Sequence, residues 1–292
     1  MKKLLITGSS GFLGWNLCQM AKQQDWQVFG TYYAHSPNLP EVASIKIDLT
    51  NFQALKALFS EIKPDAIIHL AAASKPNYCQ THPEESYRIN VTASYHIADL
   101  CAEFEIPCAF TSTDLVFDGL NPPYRESDRV CPVSIYGEQK VLAERGILER
   151  YPKTAVCRMP LMFGVAAPHS SSFIQPFISK LRQEEELSLF FDEYRVPVSA
   201  ETASRGLFLA VEKAEGILHL GGKERLSRYD FGCLMAEVLE LPKTGLKSCS
   251  QKDVPMPAPR PADLAMDSSK AFDLGYNPPT LREELEALKG RV

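Results

Sequence analysis

The fold is decided near the start of the chain by Lys3-Leu-Leu-Ile-Thr-Gly-Ser-Ser-Gly-Phe-Leu-Gly14. The apolar run predicts a buried strand, and the glycines after it predict a tight turn into a helix that reaches about Gln24. Gly8 permits the turn, Gly11 lets the backbone approach an anion, and Gly14 lets helix and strand pack closely. The helix amides then face a pyrophosphate. We therefore predict a dinucleotide-binding segment, with an ordinary capped turn as the alternative.

Beyond this motif, short apolar runs alternate with helical patterns along the first half of the chain. The predicted strands are Trp26–Thr31, Ser44–Ile47, Ala66–Leu70, Pro107–Ser112 and Ala155–Arg158. The predicted helices are Phe52–Ile62, Pro83–Glu103 and Pro132–Arg150. This alternation predicts an α/β protein with a Rossmann-type, doubly wound parallel sheet.

After Gly164 the pattern changes to a serine-rich loop, further helices and short strands, which predicts a smaller C-terminal α/β lobe. We predict an NAD(P)-binding domain over residues 1–158, with a returning segment near 198–213, and an interleaved substrate-binding lobe over 159–292. The proline cluster Pro255–Pro261 predicts a stiff loop at the mouth of the substrate site.

Composition limits the classes of function. The chain has 292 residues, of which 45% are hydrophobic, and its net charge of −5 gives no reason to expect a nucleic-acid partner. The apolar run before Thr7 is too short for a signal-peptide core, and no stretch approaches a membrane span, so we expect a cytoplasmic protein without membrane contact. Its eight cysteines include no C-x-x-C pair and its six histidines are scattered, so we expect no metal site.

A second motif, Tyr136-Gly-Glu-Gln-Lys140, places a phenol and an ammonium four residues apart. On a helix the two share a face. A nearby cation favours the phenolate and lowers a tyrosine pKa from its usual value of about 10. The pair is therefore a candidate proton donor, although a solvated surface pair has the same spacing.

The spacing G-x-x-G-x-x-G, together with Tyr136 and Lys140, resembles the extended short-chain dehydrogenase/reductase family, and the resemblance covers nearly the whole chain. Further runs resemble the dTDP-4-dehydrorhamnose reductases of that family, namely Ser112–Gly119, Pro123–Asp128, Pro132–Gly137 and the segment from Arg260-Pro261 to Gly275. The resemblance implies reduction of a 4-keto-6-deoxy nucleotide sugar, with hydride delivered to C4 and Tyr136 as proton donor.

The resemblance also assigns roles to individual residues. Thr113, Tyr136 and Lys140 are the predicted catalytic residues. The predicted cofactor-binding residues are Gly8, Ser10, Gly11, Phe12, Leu13, Gly14, Tyr32, Asp48, Leu49, Ala71, Ala72, Tyr136 and Lys140. The predicted substrate contacts are Ser112, Asp114, Tyr124, Arg158, Arg195 and Arg260. Loop capping by Asp114 and ion pairing by the arginines are the alternatives.

The end of the second predicted strand bears on the choice of cofactor. A dehydrogenase selective for NAD carries a carboxylate there, which binds the ribose 2′-hydroxyl. This chain has Gly30-Thr-Tyr-Tyr-Ala-His-Ser36 instead, so nothing repels a 2′-phosphate, and Tyr32 and His35 could donate to one. We predict NADPH, with NADH as the alternative.

Two other functions stay open at this point. A nucleotide-sugar 4-epimerase needs no additional acid or base, and a non-catalytic regulatory subunit would resemble the similar methionine adenosyltransferase β subunit. A 4,6-dehydratase is disfavoured because Leu115 stands where those relatives carry a glutamate. The expected ligand is a nucleotide sugar of unassigned sugar and base, and the resemblance implies a homodimer.

Overall fold

A computed structural model describes residues 1–292. Its strands are β1 (Lys2–Thr7), β2 (Trp26–Tyr32), β3 (Val42–Lys46), β4 (Ala66–His69), β5 (Cys108–Thr113), β6 (Ala155–Met159), β7 (Met162–Phe163), β8 (Leu187–Phe190), β9 (Tyr194–Arg195), β10 (Val198–Ser199), β11 (Gly216–His219), β12 (Leu226–Ser227) and β13 (Leu246–Cys249).

The helices alternate with these strands. They are α1 (Phe12–Ala21), α2 (Phe52–Ile62), α3 (Pro76–Thr81), α4 (Pro83–Tyr87), α5 (Ala93–Phe104), α6 (Ile135–Arg150), α7 (Ile174–Arg182), α8 (Ala200–Lys213), α9 (Arg228–Val238), α10 (Ser269–Asp273) and α11 (Leu281–Glu286). A π-helical turn joins α4 to α5, and short 3-10 turns cover Asp114–Val116 and Gln251–Asp253.

Seven parallel strands form the central sheet in the order β11-β6-β5-β4-β1-β2-β3. The chain runs outward from β1 to β3, then returns to β4 on the other side of β1 and continues to β11. This confirms the predicted Rossmann-type, doubly wound sheet. Its order reverses between β1 and β4, and ligands of such sheets bind at the carboxyl ends of the strands at that point.

Apolar residues cover both faces of the sheet because neighbouring side chains on a strand point to opposite sides. Leu4 packs in a core shared with α1 and α8, whereas Leu5 packs in a core shared with α2 and α5. Both leucines are fully buried. The burial of β1 on both faces explains why its sequence is a continuous apolar run rather than an alternating pattern.

The sequence did not indicate the edge strand β11, which pairs in parallel with β6. Only the last two of the four residues of β11 are buried, so the strand lacks the apolar run that would have indicated it in the sequence. Helix α8 lies in the segment near 198–213 that was predicted to return to the NAD(P)-binding domain, and it packs against α1 and the central sheet. The division into domains at residue 158 stays a prediction.

The C-terminal part is built from two-stranded pairs rather than a continuous sheet. Strand β8 pairs with β13, β9 with β12, and β7 with β10. A separate apolar core holds this part together, and Phe163, Ile178, Phe231 and Leu285 are buried in it. None of the helices has the length and apolar character needed to cross a membrane.

Candidate active site

The turn between β1 and α1 is shaped by its glycines. Gly8 has a φ of +70°, and a Cβ there would lie 2.9 Å from the backbone of Ala71. A Cβ on Gly14 would overlap the carbonyl group of Gly8, so only glycine lets α1 approach the strand. Helix α1 has Gly11 as its N-cap and no side-chain cap, which leaves its first amides free for an anion.

Thr7 joins this turn to the neighbouring strand end. Its hydroxyl lies 2.6 Å from Nδ1 of His69 and accepts hydrogen bonds from the amides of Leu70 and Ala71. Thr7 and His69 are buried and in register across β1 and β4. Burial lowers the pKa of His69 to about 3, so its imidazole is neutral at neutral pH. This contact fixes the two strand ends on either side of the point where the sheet order reverses.

A cavity of about 710 Å³ opens at these strand ends. All the predicted cofactor-binding residues line it, namely Gly8, Ser10, Gly11, Phe12, Leu13, Gly14, Tyr32, Asp48, Leu49, Ala71, Ala72, Tyr136 and Lys140. The residues fit a nicotinamide dinucleotide, because the free amides of α1 lie between the end of β2 and the Tyr136–Lys140 pair. Contact with a cofactor stays a prediction for each residue.

Other cavity residues carry no signal in the sequence. Glu85, Arg88 and Ile89 reach the cavity from α4 and the π-helical turn, and Met159 and Met162 reach it from β6 and β7. The sequence predicts one continuous helix over Pro83–Glu103, and an inserted π turn changes which side chains face the cavity.

Helix α6 carries the predicted acid–base pair. Its N-cap Ser134 accepts a hydrogen bond from Gly137. A Cβ on Gly137 would overlap the carbonyl oxygen of Leu115, so this glycine lets α6 pack directly on the 3-10 turn after β5. The close packing brings Tyr136 and Lys140 next to the end of β5, and both side chains are buried. The solvated-surface alternative for this pair is therefore wrong.

Lys140 is held by groups from β5 rather than by a carboxylate. Its Nζ donates a 2.8 Å hydrogen bond to the carbonyl of Thr111 and lies 4.5 Å from the ring centroid of Phe110. Burial lowers the pKa of Lys140 to about 8, and the negative charge of Glu144 acts in the opposite direction. Its charge is therefore sensitive to pH in the range just above neutrality.

The expected lowering of the Tyr136 pKa does not occur in this structure. Burial raises that pKa above its usual value, and the negative charge of Asp114 acts in the same direction. The neighbouring Thr113 hydroxyl acts in the opposite direction without reversing the shift. Desolvation disfavours a buried phenolate, so Tyr136 is a neutral phenol at neutral pH. That is the form that can donate a proton.

Thr113 and Asp114 lie at the end of β5 beside Tyr136. The Thr113 hydroxyl accepts a hydrogen bond from the amide of Leu115 and donates to Oδ1 of Asp114 at 3.1 Å. Asp114 is 4% exposed, and its Oδ2 has no hydrogen-bond partner, although it lies 3.4 Å from Nε of Arg195. Burial raises the pKa of Asp114 to about 6, and Arg195 acts in the opposite direction.

Asp114 belongs to a group of charges that we call the lobe charge cluster, formed by Asp114, Glu193, Arg195 and Arg228. Oε1 of Glu193 lies 3.4 Å from Arg195 and 3.3 Å from Arg228. Arg260 is partly buried nearby, and its Nη2 donates to Asn77 at 3.4 Å. The sequence indicated Asp114, Arg195 and Arg260 but not Glu193 or Arg228, because no motif links them before the chain folds.

The structure does not bring Arg158 to the cavity. Its guanidinium donates to both carboxylate oxygens of Glu144, at 3.0 and 2.8 Å, and both side chains are 4% exposed. Ser112 lines the cavity, but its hydroxyl also donates to Glu144. The geometry therefore favours a structural role for Arg158 over the predicted substrate contact, and its ion pair is buried rather than on the surface.

Tyr124 has a similar outcome. Its hydroxyl donates to Asp118 at 2.6 Å and accepts from the amides of Leu120 and Asn121, while its ring stacks on Phe117. Tyr124 is 4% exposed. The hydroxyl of Tyr124 is fully used by these hydrogen bonds, and its ring is packed against Phe117. Its position therefore does not support the predicted substrate contact.

The match to a family model covers residues 1–291, and that family is described as the RmlD substrate binding domain. The chain belongs to this family. Within the extended short-chain dehydrogenase/reductases, it has the fold and glycine motif of the NAD(P)-dependent oxidoreductases.

Relatives with different descriptions match most of the chain. Methionine adenosyltransferase 2 subunit beta of Xenopus laevis is 31% identical over 281 residues, covering 94% of this chain and 83% of the relative. A probable low-salt glycan biosynthesis reductase of Haloferax volcanii is 29% identical over 289 residues, covering 97% and 96%.

Solved structures agree with the family assignment. A dTDP-4-dehydrorhamnose reductase from Clostridium acetobutylicum matches with a TM-score of 0.85 and 26% identity, covering 98% of this chain and 97% of the other. A reductase of the same name from Bacillus anthracis, solved in complex with NADP, matches with a TM-score of 0.85 and 22% identity over 98% of both chains. At 22% identity, the match to the Bacillus anthracis structure shows a shared fold.

Proposed function

We propose that the chain is an NADPH-dependent reductase of a 4-keto-6-deoxy nucleotide sugar. The observation that carries the proposal is the single cavity that joins the glycine turn after β1 to Tyr136 and Lys140 on α6. A cofactor lying along it would have its pyrophosphate at the α1 amides and its reactive ring near a neutral phenol. Such a phenol is suited to protonate a ketone as hydride arrives.

Each catalytic residue has a distinct part in this proposal. The cofactor supplies hydride when bound. Tyr136 donates its phenolic proton to the C4 oxygen, and the Thr113 hydroxyl would turn its one proton from Asp114 to the same oxygen as negative charge develops. The Lys140 ammonium, fixed on the carbonyl of Thr111, holds the ribose next to the reactive ring and stabilises the phenolate that forms. A hydrogen-bond donor aimed at the developing negative charge stabilises the transition state by about 3 kcal/mol.

The proposed cofactor is NADPH rather than NADH. The cavity wall at the end of β2 and just after it is formed by Tyr32, Tyr33, Ala34 and His35, which include no carboxylate to repel a 2′-phosphate. The NADP complex of the reductase from Bacillus anthracis is consistent with this choice.

The proposed substrate contacts are Asp114 and the partly buried Arg228 and Arg260, whereas Arg195 is 5% exposed and donates to the carbonyls of Tyr194 and Pro261, which favours a role in positioning Asp114 over the predicted substrate contact. Planar guanidinium groups bind diphosphate oxygens in pairs. The buried Oδ2 of Asp114, which lacks a hydrogen-bond partner, would accept a hydrogen bond from a sugar hydroxyl. The names of the reductases from Clostridium acetobutylicum and Haloferax volcanii support a sugar substrate.

The test is a panel of 4-keto sugar nucleotides assayed for NADPH oxidation. Tyr136→Phe should lower turnover by about 10²- to 10⁴-fold with little effect on NADPH affinity, because only the proton donor is removed. Tyr87→Phe makes the same chemical change at an exposed site outside the cavity and should leave turnover unchanged. Near-parental turnover in Tyr136→Phe would refute the assignment of the acid.

A second candidate function is that of a cofactor-binding regulatory subunit. The 31% identity to methionine adenosyltransferase 2 subunit beta favours it. In that case NADPH would bind to the same cavity without turnover of any sugar nucleotide, and the chain would co-purify with a methionine adenosyltransferase catalytic subunit. Turnover that depends on Tyr136 would instead favour the reductase.

A further inference from the structure

Helix α6 is joined to the end of β5 at two points. Nζ of Lys140 donates to the carbonyl of Thr111, and one turn later on α6 the carboxylate of Glu144 accepts a hydrogen bond from the Ser112 hydroxyl. The next residue of β5 is Thr113, whose hydroxyl is proposed to contact the C4 oxygen. The two contacts therefore hold the segment that presents this hydroxyl against the helix that presents the acid–base pair.

Glu144 is itself held in place by the neighbouring strand. Ser112 and Arg158 are partners across β5 and β6, and the Arg158 guanidinium donates to both oxygens of Glu144, at 3.0 and 2.8 Å. All three side chains are buried. A carboxylate that accepts two hydrogen bonds from one guanidinium and a third from a hydroxyl is restricted to one orientation.

Most titratable groups around the Lys140 ammonium are uncharged at neutral pH. They are His69 on β4, Cys79 on α3 and Tyr136 on α6. Burial lowers the pKa of His69 to about 3 and raises the pKa of Cys79 and of Tyr136. Strand β5 contributes only a carbonyl group and the ring of Phe110. None of these groups compensates the charge of the ammonium.

Three charged side chains belong to this helix and to the elements packed against it: Glu144, Arg158 on β6, and Asp114 on the 3-10 turn after β5. The guanidinium of Arg158 is paired with Glu144, and the charge of Asp114 acts on Tyr136. Of the three, only Glu144 acts on the pKa of Lys140, which it raises against the effect of burial. The spacing explains this, because residues four apart on a helix lie on one face.

We propose that Glu144 is a positioning residue for the catalytic pair, an inference that rests on the proposed function. It holds the end of β5 against α6 through Ser112, and its negative charge keeps the Lys140 ammonium available to the cofactor ribose. Arg158 keeps Glu144 in the orientation that serves both contacts. Neither Glu144 nor Arg158 lines the cavity, so the buried ion pair acts on the cofactor site from outside it.

The experiment follows the charge of Lys140 directly. The lysine side chains are isotope-labelled, and the Lys140 signal, identified by its absence from Lys140→Arg, is titrated with pH by NMR. The dissociation constant of NADPH is measured over the same pH range without a sugar substrate. The main variant is Glu144→Gln, which keeps an oxygen for the Ser112 hydroxyl but removes the charge. The matched control is Glu138→Gln, because Glu138 is on the same helix but exposed.

A second variant covers the loss of the ion pair itself. Glu144→Gln leaves the buried guanidinium of Arg158 without its carboxylate, which destabilises the fold. The double variant Glu144→Gln/Arg158→Met removes both charges, so no buried cation is left unpaired, while Lys140 still lacks the carboxylate. Thermal melting of each variant checks that the fold is intact.

We expect the pKa of Lys140 to fall from about 8 by about one pH unit or more in Glu144→Gln and in the double variant. The ammonium is present below its pKa, so NADPH affinity should begin to fall at a correspondingly lower pH. Glu138→Gln should titrate as the parent does.

An unchanged Lys140 titration in the folded Glu144 variants overturns the proposal, because a glutamine that only preserves the packing would give that result. An NADPH affinity that does not follow the shifted titration overturns it too. If both shift as expected but no sugar nucleotide is turned over, the role of Glu144 at the cofactor site stands and the reductase function fails.

Discussion

At the glycine turn the groups proposed to bind an anion are backbone amides, whereas beside the lobe charge cluster they are the guanidinium side chains of Arg228 and Arg260. The amides of α1 are oriented by the helix itself and need only glycines that let the backbone approach. Arg195 and Arg228 are instead held by Glu193, which comes from the same part of the chain but pairs with them only in the folded lobe. The comparison teaches that a local pattern can specify the first kind of site but not the second.

The strongest test of this difference is Glu193→Gln. It would leave the buried guanidinium of Arg195 and the partly buried guanidinium of Arg228 without their shared carboxylate, and breaking a buried ion pair from one side costs about 3–5 kcal/mol. We expect a large fall in the free energy of unfolding, measured by chemical denaturation. The control is Glu237→Gln, because Glu237 pairs with Arg282 at the exposed surface and its loss should have little effect. If Glu193→Gln and Glu237→Gln lower the free energy of unfolding by equally small amounts, the lobe charge cluster does not hold the lobe together.

The matching test at the glycine turn is Gly14→Ala. The new Cβ would overlap the Gly8 carbonyl group, so the backbone of α1 has to shift at a cost of about 1–3 kcal/mol. We expect lower stability and weaker NADPH binding. Gly11→Ala is the control for stability, because its nearest atom would be 3.3 Å away. A melting temperature of Gly14→Ala equal to that of Gly11→Ala would contradict this account.

A pH profile tests the buried cation of the nucleotide-binding half. The pKa of Lys140 is lowered to about 8, so the ammonium is present below that pH and is lost as pH rises through it. We expect turnover to be flat near neutrality and to fall about tenfold per pH unit well above 8. Tyr136 stays protonated over this range because its own pKa is raised.

The variant Lys140→Arg is the control for that profile, because a guanidinium keeps its charge throughout the range. Its turnover should be lower but should no longer fall between pH 8 and about 10. A fall that persists unchanged in Lys140→Arg would assign the titration to another group.

The smallest expected effect concerns substrate binding in the lobe. Arg260 is only partly buried, and its hydrogen bond to Asn77 is long, so Arg260→Ala should leave the fold intact. We expect KM for the nucleotide sugar to rise several-fold with little change in kcat, the pattern of a lost binding contact. Arg205→Ala removes an exposed pair with Glu201 and should change neither constant. A fall in kcat alone would contradict a binding role for Arg260.

Much of the fold could be predicted from single segments. Helix α2 has the predicted bounds, and the five strands predicted after β1 begin and end within two residues of those observed. These elements are continuous apolar or amphipathic runs bounded by glycine, proline or caps, which local sequence specifies. The π turn at Arg88–Thr92 was not predictable, because a single extra residue in a helical turn leaves the surrounding apolar pattern almost unchanged.

The sequence by itself determined the parallel sheet, the glycine turn and the placement of Tyr136 and Lys140 on one helix face, because strand, turn and helix geometry repeat over a few residues. Only the tertiary structure decided that Arg158 pairs with Glu144, that Asp114 and Arg195 join Glu193, and that burial raises the pKa of Tyr136. The physical reason is that desolvation and ion pairing depend on which distant groups surround a charge. No local pattern contains that information.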